Sequence, residues 1–137
     1  MAAATAAVHT QMKKGDIFSY GMSSGVTIYK GTLVSLSDGY AQAASDTASE
    51  VFVGVAMETK TESTSSDGGT DIKVHRTGLF RFAKTSAAVT DIGTIFCITD
   101  DQTVAADTTN DIVCGKCAGI DGTTHIWLDI ADRTTTT

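Results

Sequence analysis

A repeated pattern of apolar stretches and turn signals constrains this chain more than any other feature. Residues 31–56 read GTLVSLSDGYAQAASDTASEVFVGVA, and residues 93–118 read GTIFCITDDQTVAADTTNDIVCGKCA. Gly31 and Gly93 are 62 residues apart, and Gly54 and Gly115 are 61 apart. The near-constant offset indicates two structurally equivalent units. Because an open solenoid needs about three repeats, the pattern predicts one closed barrel or sandwich with internal pseudo-symmetry.

Both units have the features of short antiparallel strands. Apolar and β-branched residues lie between turn signals such as Asp38-Gly39. The dipeptide Asp121-Gly122 suits a type I′ turn, so it predicts a hairpin between strands at 112–120 and 124–131. Further strands are predicted at 17–20, 26–29, 32–36, 40–43, 53–56, 72–77 and 79–83. The fold class is therefore all-β: a single small barrel or sandwich with two pseudo-repeated units.

Alternation within the last strands predicts which side chains face the core. In the terminal hairpin, one face has Ile126, Leu128 and Ile130, and the other has His125, Trp127 and Asp129. In the strand at 79–83, Phe80 and Phe82 share one face, opposite Leu79 and Arg81. Because successive strand residues point to opposite sides, we assign the isoleucine, leucine and phenylalanine faces to the core.

The chain divides into an arm, one domain and a tail. A length of 137 residues is enough for one domain with a single core. Residues 1–14 are Ala-rich and too weakly apolar to form a stable helix alone, so they are predicted to be an arm. Residues 15–132 form the β domain, and the polar residues 133–137 are predicted to be a disordered tail. The Ser-, Thr- and Gly-rich stretch at 59–71 is predicted to be an exposed, mobile loop.

The charge of the chain argues against nucleic acid as a partner. The formal net charge is −6, and an acidic surface repels a phosphate backbone. The densest basic groupings, Lys13-Lys14 and the scattered Lys73, Arg76, Arg81 and Lys84, do not form a patch. No apolar run is long enough to span a bilayer, and the N-terminus lacks the features of a secretory signal. We therefore expect synthesis in the cytoplasm and no membrane partner.

Two of the three cysteines form a Cys-x-x-Cys motif, Cys114 and Cys117. A redox motif of this kind belongs at a helix N-terminus, where a thiolate is stabilised, and a zinc ribbon needs a second ligand pair. Here the motif lies in a predicted strand, where residues three apart point to opposite faces. We interpret both cysteines as buried or half-buried structural residues.

Other residue types give no sign of catalysis, a metal or a cofactor. The aspartates at 100, 101, 107 and 111 lack the spacing of a calcium-binding loop, and turn formation accounts for them. His75 and His125 are isolated strand residues, and no local Ser-His-Asp signature is present. Trp127 and Tyr40 are the two aromatic residues that suit a stacking platform for a carbohydrate or small ligand. The sequence therefore predicts a protein that is not an enzyme.

Several of these stretches together resemble a known family. They are VTIYKGTLV at 26–34, GYAQAA at 39–44, FVGVAME at 52–58, DIGTIF at 91–96 and VCGK at 113–116. The combination resembles the small decoration, or structural cement, proteins of tailed bacteriophages, over about residues 14–131. The resemblance implies a small all-β barrel or tulip-like fold and no catalytic residues. It also implies a position on the outer capsid surface, often as a trimer, in contact with major capsid protein subunits.

Three functional hypotheses follow, in order of preference. The first is a virion decoration protein that binds the major capsid protein, forms a homotrimer on the particle and uses its arm for contact. The candidate contact residues are Ala2, Ala3, Ala4, Ala7, Val8 and Met12. The second is a carbohydrate- or small-ligand-binding module that uses Trp127 or Tyr40. The third is a thiol oxidoreductase that uses Cys114 and Cys117.

Overall fold

A computed structural model of the chain describes residues 2–133. Within that range it has twelve β-strands, one 3-10 turn at Val89–Asp91 and no α-helix. The all-β prediction is therefore confirmed. The strands are β1 Ile17–Gly21, β2 Thr27–Ile28, β3 Leu33–Ser37, β4 Tyr40–Ala43, β5 Val51–Ala56, β6 Lys60–Thr61, β7 Asp71–His75, β8 Leu79–Ala83, β9 Ile95–Ile98, β10 Val104–Ala105, β11 Val113–Asp121 and β12 His125–Asp129.

The strands form two five-stranded antiparallel sheets with the same internal order. Unit 1 has the order β1-β7-β5-β3-β4, and unit 2 has the order β8-β12-β11-β9-β10. Each strand of unit 2 therefore has a counterpart at the same sheet position in unit 1. The predicted repeat is confirmed, and it extends beyond 31–56 and 93–118, because β1 matches β8 and β7 matches β12. A two-stranded ribbon of β2 and β6 belongs to unit 1 alone.

Both units have a β-bulge at the same place. In each, the register of the central strand pair shifts by one residue, so that Val53 in β5 and Cys114 in β11 have no direct partner. The next residue is Gly54 in one unit and Gly115 in the other. A Cβ at Gly54 would lie 2.0 Å from the carbonyl oxygen of His75, and one at Gly115 would lie 2.5 Å from the corresponding carbonyl oxygen in β12. The repeated glycines therefore allow a close backbone approach beside each bulge.

The two sheets do not close into one barrel. Each sheet is curled, and its edge strands meet through a single bridge at one end. Met22 bridges Ala41 in unit 1, and Ala83 bridges Thr103 in unit 2. Of the two architectures that the sequence left open, the closed barrel is wrong, because each unit closes at this one bridge only.

The two units stack front to back, so that the inner face of unit 2 packs on the back of unit 1. The apolar face of β3 and β9 contains Val34 in unit 1 and Phe96 in unit 2, yet these two residues lie in different core clusters. Val34 belongs to a core enclosed within unit 1. Phe96 belongs to the larger core, where unit 2 packs on the back of unit 1. That back face consists of Leu33, Ala44, Phe52 and Val55, all buried. Burial of Leu33, Phe52 and Val55 contributes about 1.5–3 kcal/mol for each side chain.

The inner face of unit 1 is covered by its own chain. Met22 and Ile28, from the connection between β1 and β3, are fully buried against Ile72 and Val74 of β7. The β2–β6 ribbon holds this connection in place. The domain therefore has three layers: the connection, the sheet of unit 1 and the sheet of unit 2. The outer side of unit 2 is the surface that remains open.

The stretch at 59–71 is exposed over most of its length, as predicted, but parts of it are fixed to the domain. The stretch at 59–71 contains β6 and is tied to the connection, because the Met22 amide donates to the Thr70 carbonyl and the Gly68 amide donates to the Met22 carbonyl, both at 2.8 Å. Its Glu62 is completely buried. The polar composition of this stretch therefore does not reveal that it is anchored to the domain. The arm matches its prediction in part, because residues 2–14 are exposed and contain no helix or strand.

Arg133, the first residue of the predicted tail, contacts the β domain. Arg133 donates from Nε to the Ile130 carbonyl at 2.9 Å and from Nη1 to the Phe52 carbonyl at 3.2 Å. Its guanidinium group also lies 4.6 Å from the centre of the Phe52 ring. Arg133 therefore packs on the domain rather than belonging to a disordered tail, and residues 134–137 lie outside the described residues.

Candidate interaction surfaces

The outer side of unit 2 presents an apolar surface to solvent. In strand β12, Ile126 and Leu128 point into the core, as predicted, and Trp127 therefore points outward. Trp127 is 41% exposed, and Leu79 on the neighbouring β8 is 56% exposed. We call this surface the open face and define it by Leu79, Arg81, Lys116, Gly119, Asp121 and Trp127.

The strand register explains why the Trp127 ring is uncovered. Trp127 pairs with Arg81 on one side and with Gly119 on the other, and residues opposite each other in an antiparallel pair share a face. Because Gly119 has no side chain, nothing from β11 covers the ring on that side. Leu79, Ala118, Gly119 and Trp127 line a shallow, mainly apolar depression of about 420 Å³.

Charged side chains surround this apolar centre in pairs. The Arg81 guanidinium is bonded to the Asp121 carboxylate, and both side chains are about half exposed. The Lys116 ammonium lies 3.5 Å from the Asp132 carboxylate. The exposed Arg81–Asp121 pair contributes at most about 1 kcal/mol to stability. The arrangement of both pairs leaves an apolar centre with a polar rim, which is the general anatomy of a protein interface.

Equivalent positions on the back faces of the two sheets differ in burial. In unit 1, Phe52 and Val55 are buried beneath unit 2. The equivalent positions in unit 2, by the 61-residue offset, are Val113 and Lys116, and both are only partly buried. This difference is confined to the central strands, because Ile17 and Lys73, the unit 1 counterparts of Leu79 and Trp127, are exposed as well.

The arm is a second exposed segment. Its six predicted contact residues are all exposed, with Met12 at 95%. The root of the arm is held to the domain, because the Lys13 ammonium lies 4.7 Å from the centre of the Phe18 ring and Arg76 donates to the Gly15 carbonyl at 3.3 Å. The arm therefore leaves the domain from a fixed point.

The cysteines are buried, and the geometry expected for two of them is wrong. Cys114 and Cys117 were predicted to point to opposite faces, but both lie in the same core cluster. The bulge at Cys114 breaks the alternation, and the sequence alone does not reveal that bulge. All three cysteines are free thiols. The Cys114 thiol donates to the Phe96 carbonyl at 3.4 Å, and the Cys117 thiol donates to the Gly119 carbonyl at 3.2 Å.

Burial makes these thiols poor nucleophiles. It raises the pKa of Cys97 to about 11, with a further contribution from the charge of Asp111, and it also raises the pKa values of Cys114 and Cys117. The thiolate is the reactive form, so a raised pKa suppresses thiol chemistry near neutral pH. A thiol oxidoreductase requires the opposite shift.

The histidines and aspartates have structural contacts. His75 stacks on Phe80, with 5.5 Å between ring centres. The Nδ1 atom of His125 lies 2.9 Å from the Thr124 hydroxyl. Asp100 accepts the Gln102 amide at 2.9 Å, and this contact agrees with its predicted turn role. Within residues 2–133, no three His, Cys, Asp or Glu side chains are grouped as metal ligands.

Tyr40 and Trp127, the two predicted stacking residues, have different surroundings. A Cβ at Gly68 would lie 3.1 Å from the Tyr40 ring, and one at Gly21 would lie 3.6 Å from it. The protein's own chain therefore already packs against Tyr40. Trp127 is 41% exposed, against 36% for Tyr40, and it lines an apolar depression, so it is the better placed of the two to contact a ligand.

Comparisons of the chain with protein-family models, with curated proteins and with solved structures found no match. Within residues 2–133, no helix is long and apolar enough to cross a membrane. The fold itself defines a class: an all-β protein made of two equivalent, curled five-stranded sheets, with the inner face of one packed on the back of the other. Its exposed surfaces include the outer sheet of unit 2 and the arm.

Proposed function

We propose that this chain is a non-enzymatic decoration protein that binds the outer surface of a tailed-bacteriophage head and stabilises contacts between major capsid protein subunits. One observation carries the proposal: Trp127 and Leu79 are exposed on the outer side of unit 2, where they line one shallow apolar depression. The occupant that we assign to this open face is the major capsid protein.

The architecture suits a protein that bridges subunits. Stacked sheets with two cores form a rigid body, and the exposed arm adds a segment that can follow a neighbouring surface. A large exposed aromatic residue beside a leucine, surrounded by paired charges, fits a contact with another protein. The net charge of −6 favours the outside of a shell over its DNA-lined interior.

The proposal is tested by co-sedimentation of the chain with empty capsids of the phage whose genome encodes it. We expect wild-type protein to pellet with the capsids. The double variant Leu79→Ser/Trp127→Ser should bind at least tenfold more weakly, because it loses the apolar centre of the open face. Tyr29→Ser is the matched control, since Tyr29 is 59% exposed and lies outside that face.

The outcomes separate the role from the surface. Failure of the wild-type protein to pellet contradicts the decoration role itself. Equal binding by the wild-type protein and the double variant contradicts the use of the open face and leaves the arm as the contact. The double variant must also keep the wild-type β-rich circular dichroism spectrum.

On the particle, we propose a homotrimer. Contacts around a symmetry axis allow one copy to touch several capsid subunits, and a particle reconstruction should therefore show three copies around a threefold or quasi-threefold axis. Single copies at sixfold centres would contradict the trimer without affecting the decoration role.

A carbohydrate- or small-ligand-binding module is the second candidate, favoured by the exposed Trp127 ring and the depression beside it. Trp127 is the single tryptophan of the chain, so its fluorescence reports directly on this site. A saturable fluorescence change with neutral oligosaccharides would favour this candidate over capsid binding. No change, together with capsid co-sedimentation, would favour the first proposal.

A further inference from the structure

A cleft at the junction of the arm and the domain brings two arginines together. It has a volume of about 360 Å³ and is lined by Gly15, Arg76, Thr77, Ala131 and Arg133. Gly15 lies at the root of the arm, and Ala131 and Arg133 follow the last strand. The two ends of the domain therefore meet at this cleft.

Neighbouring carbonyl groups hold both guanidinium groups in place. Arg76 donates one hydrogen bond, to the Gly15 carbonyl, and Arg133 donates to the carbonyls of Ile130 and Phe52. A guanidinium group has five N–H donors. Each arginine therefore keeps donors that these contacts do not use, while its position is already set.

The charge of these two arginines is not compensated by a nearby carboxylate. The four ion pairs among residues 2–133 use Lys60, Arg81, Lys84 and Lys116 as cations. Arg76 and Arg133 therefore have no carboxylate within ion-pair distance in the described part of the chain, although acidic residues outnumber basic ones, 16 to 10. Burial lowers the pKa of Arg133, and the charge of Arg76 lowers it further.

We propose that the Arg76–Arg133 cleft is a binding site for an oxyanion, either a carboxylate or a phosphate group. Guanidinium groups bind both through paired N–H donors, and Thr77 adds a hydroxyl group to the lining. A bound anion would relieve the repulsion between the two arginines. It would also link the root of the arm to the C-terminal end of the domain. This inference is independent of the proposed capsid role.

The test uses the full chain, without capsids, and NMR of the arginine Nε–H groups. Sodium phosphate and sodium acetate are titrated separately, with sodium chloride keeping the ionic strength constant. We expect saturable shifts of both arginine signals with at least one anion, at a dissociation constant on the order of millimolar. Saturation by phosphate alone, or by acetate alone, would identify the class of ligand.

Two variants of Arg76 and one control locate the site. Arg76→Gln should weaken anion binding at least tenfold. Arg76→Lys should have an intermediate effect, because it keeps the charge but loses the paired donors. Lys73→Gln removes one exposed charge from strand β7, which ends just before Arg76, and should leave binding unchanged. Linear, unsaturated shifts with both anions, or equal weakening by Arg76→Gln and Lys73→Gln, would overturn the proposal.

Discussion

Gly115 lies at a point where strands β11 and β12 are too close for a side chain. A Cβ there would lie 2.8 Å from Leu128 Cγ as well as 2.5 Å from the Asp129 carbonyl oxygen. We therefore predict that Gly115→Ala destabilises the fold by about 1–3 kcal/mol, the usual range for overpacking. Gly119→Ala on the same strand is the control, because nothing lies within 4 Å of a Cβ there.

Urea denaturation of both variants measures the difference. Gly119→Ala should remain within about 0.5 kcal/mol of the wild type, as most surface substitutions do. If the two variants lose the same stability, then glycine flexibility rather than close packing accounts for Gly115, and the structural equivalence with Gly54 loses its physical basis.

The buried thiols lead to a prediction about both stability and function. Replacing Cys114 and Cys117 together by Ala should lower the free energy of unfolding by about 1–3 kcal/mol, because both side chains fill the shared core. Capsid binding should be unchanged, because neither thiol reaches the surface. Chemical denaturation and co-sedimentation measure the two effects. A variant that folds but no longer binds capsids would restore a functional role for the motif.

At the scale of elements, Asp46 links the two units through equivalent loops. It lies between β4 and β5, and its carboxylate accepts the amides of Thr109 and Asn110, both at 3.0 Å, from the loop between β10 and β11. The Thr108 hydroxyl donates to the same carboxylate at 3.3 Å. Burial raises the pKa of Asp46, but these hydrogen bonds outweigh it and leave the pKa below its ordinary value of 3.8.

A lowered pKa in the folded state fixes the sign of the pH effect. The ionised carboxylate stabilises the fold above the ordinary pKa of 3.8, and this contribution is lost as the pH falls through the lower, folded-state pKa. Asp46→Ala should therefore lower the melting temperature by a few degrees at pH 6, and the difference from the wild type should shrink towards pH 2.5.

The control for Asp46→Ala is Asp107→Ala. Asp107 occupies the matching position in unit 2, and it is exposed. Its substitution should change the melting temperature at pH 6 much less than Asp46→Ala does. Thermal unfolding followed by circular dichroism at several pH values measures both variants. A pH-independent effect of Asp46→Ala would show that the ionised carboxylate is not what links the units.

The sequence could predict the strands and the repeat but not how the units stack. Glycine positions and alternation are local signals, so residues 31–56 and 93–118 could be matched directly. Which face of a sheet meets which neighbour depends on long-range packing, and Leu33 and Ile95 look alike in sequence although only Leu33 is fully buried. For the same reason, the sequence does not reveal the bulge at Cys114 or the burial of Glu62 within a polar stretch.

Part of the candidate site could also be predicted. Alternation in the terminal hairpin placed Trp127 opposite the core, and the same rule placed Leu79 and Arg81 outward. The sequence could not show that no other layer covers them. It also could not bring Arg76 and Arg133 together, because they are 57 positions apart and meet only through the fold.

For the whole molecule, the arm is the segment whose role is most directly testable. Residues 2–14 make few contacts with the domain, so ordering them on a partner costs about 1–2 kcal/mol per residue of backbone. The partner must therefore offer substantial contact area to the exposed alanines, Val8 and Met12. If it does, the arm should be sensitive to protease in the free protein and protected on the particle.

Deletion of residues 2–12 separates this role from folding. The deletion leaves Lys13 and Gly15, whose contacts with Phe18 and Arg76 fix the root of the arm. Thermal unfolding of the β domain should therefore remain nearly unchanged. Capsid affinity should fall by tenfold or more, or about 1.4 kcal/mol, in a co-sedimentation titration. Equal affinity of the truncated and full-length proteins would show that the arm makes no productive contact. Binding would then depend on the open face, and the Leu79→Ser/Trp127→Ser variant should account for nearly all of it.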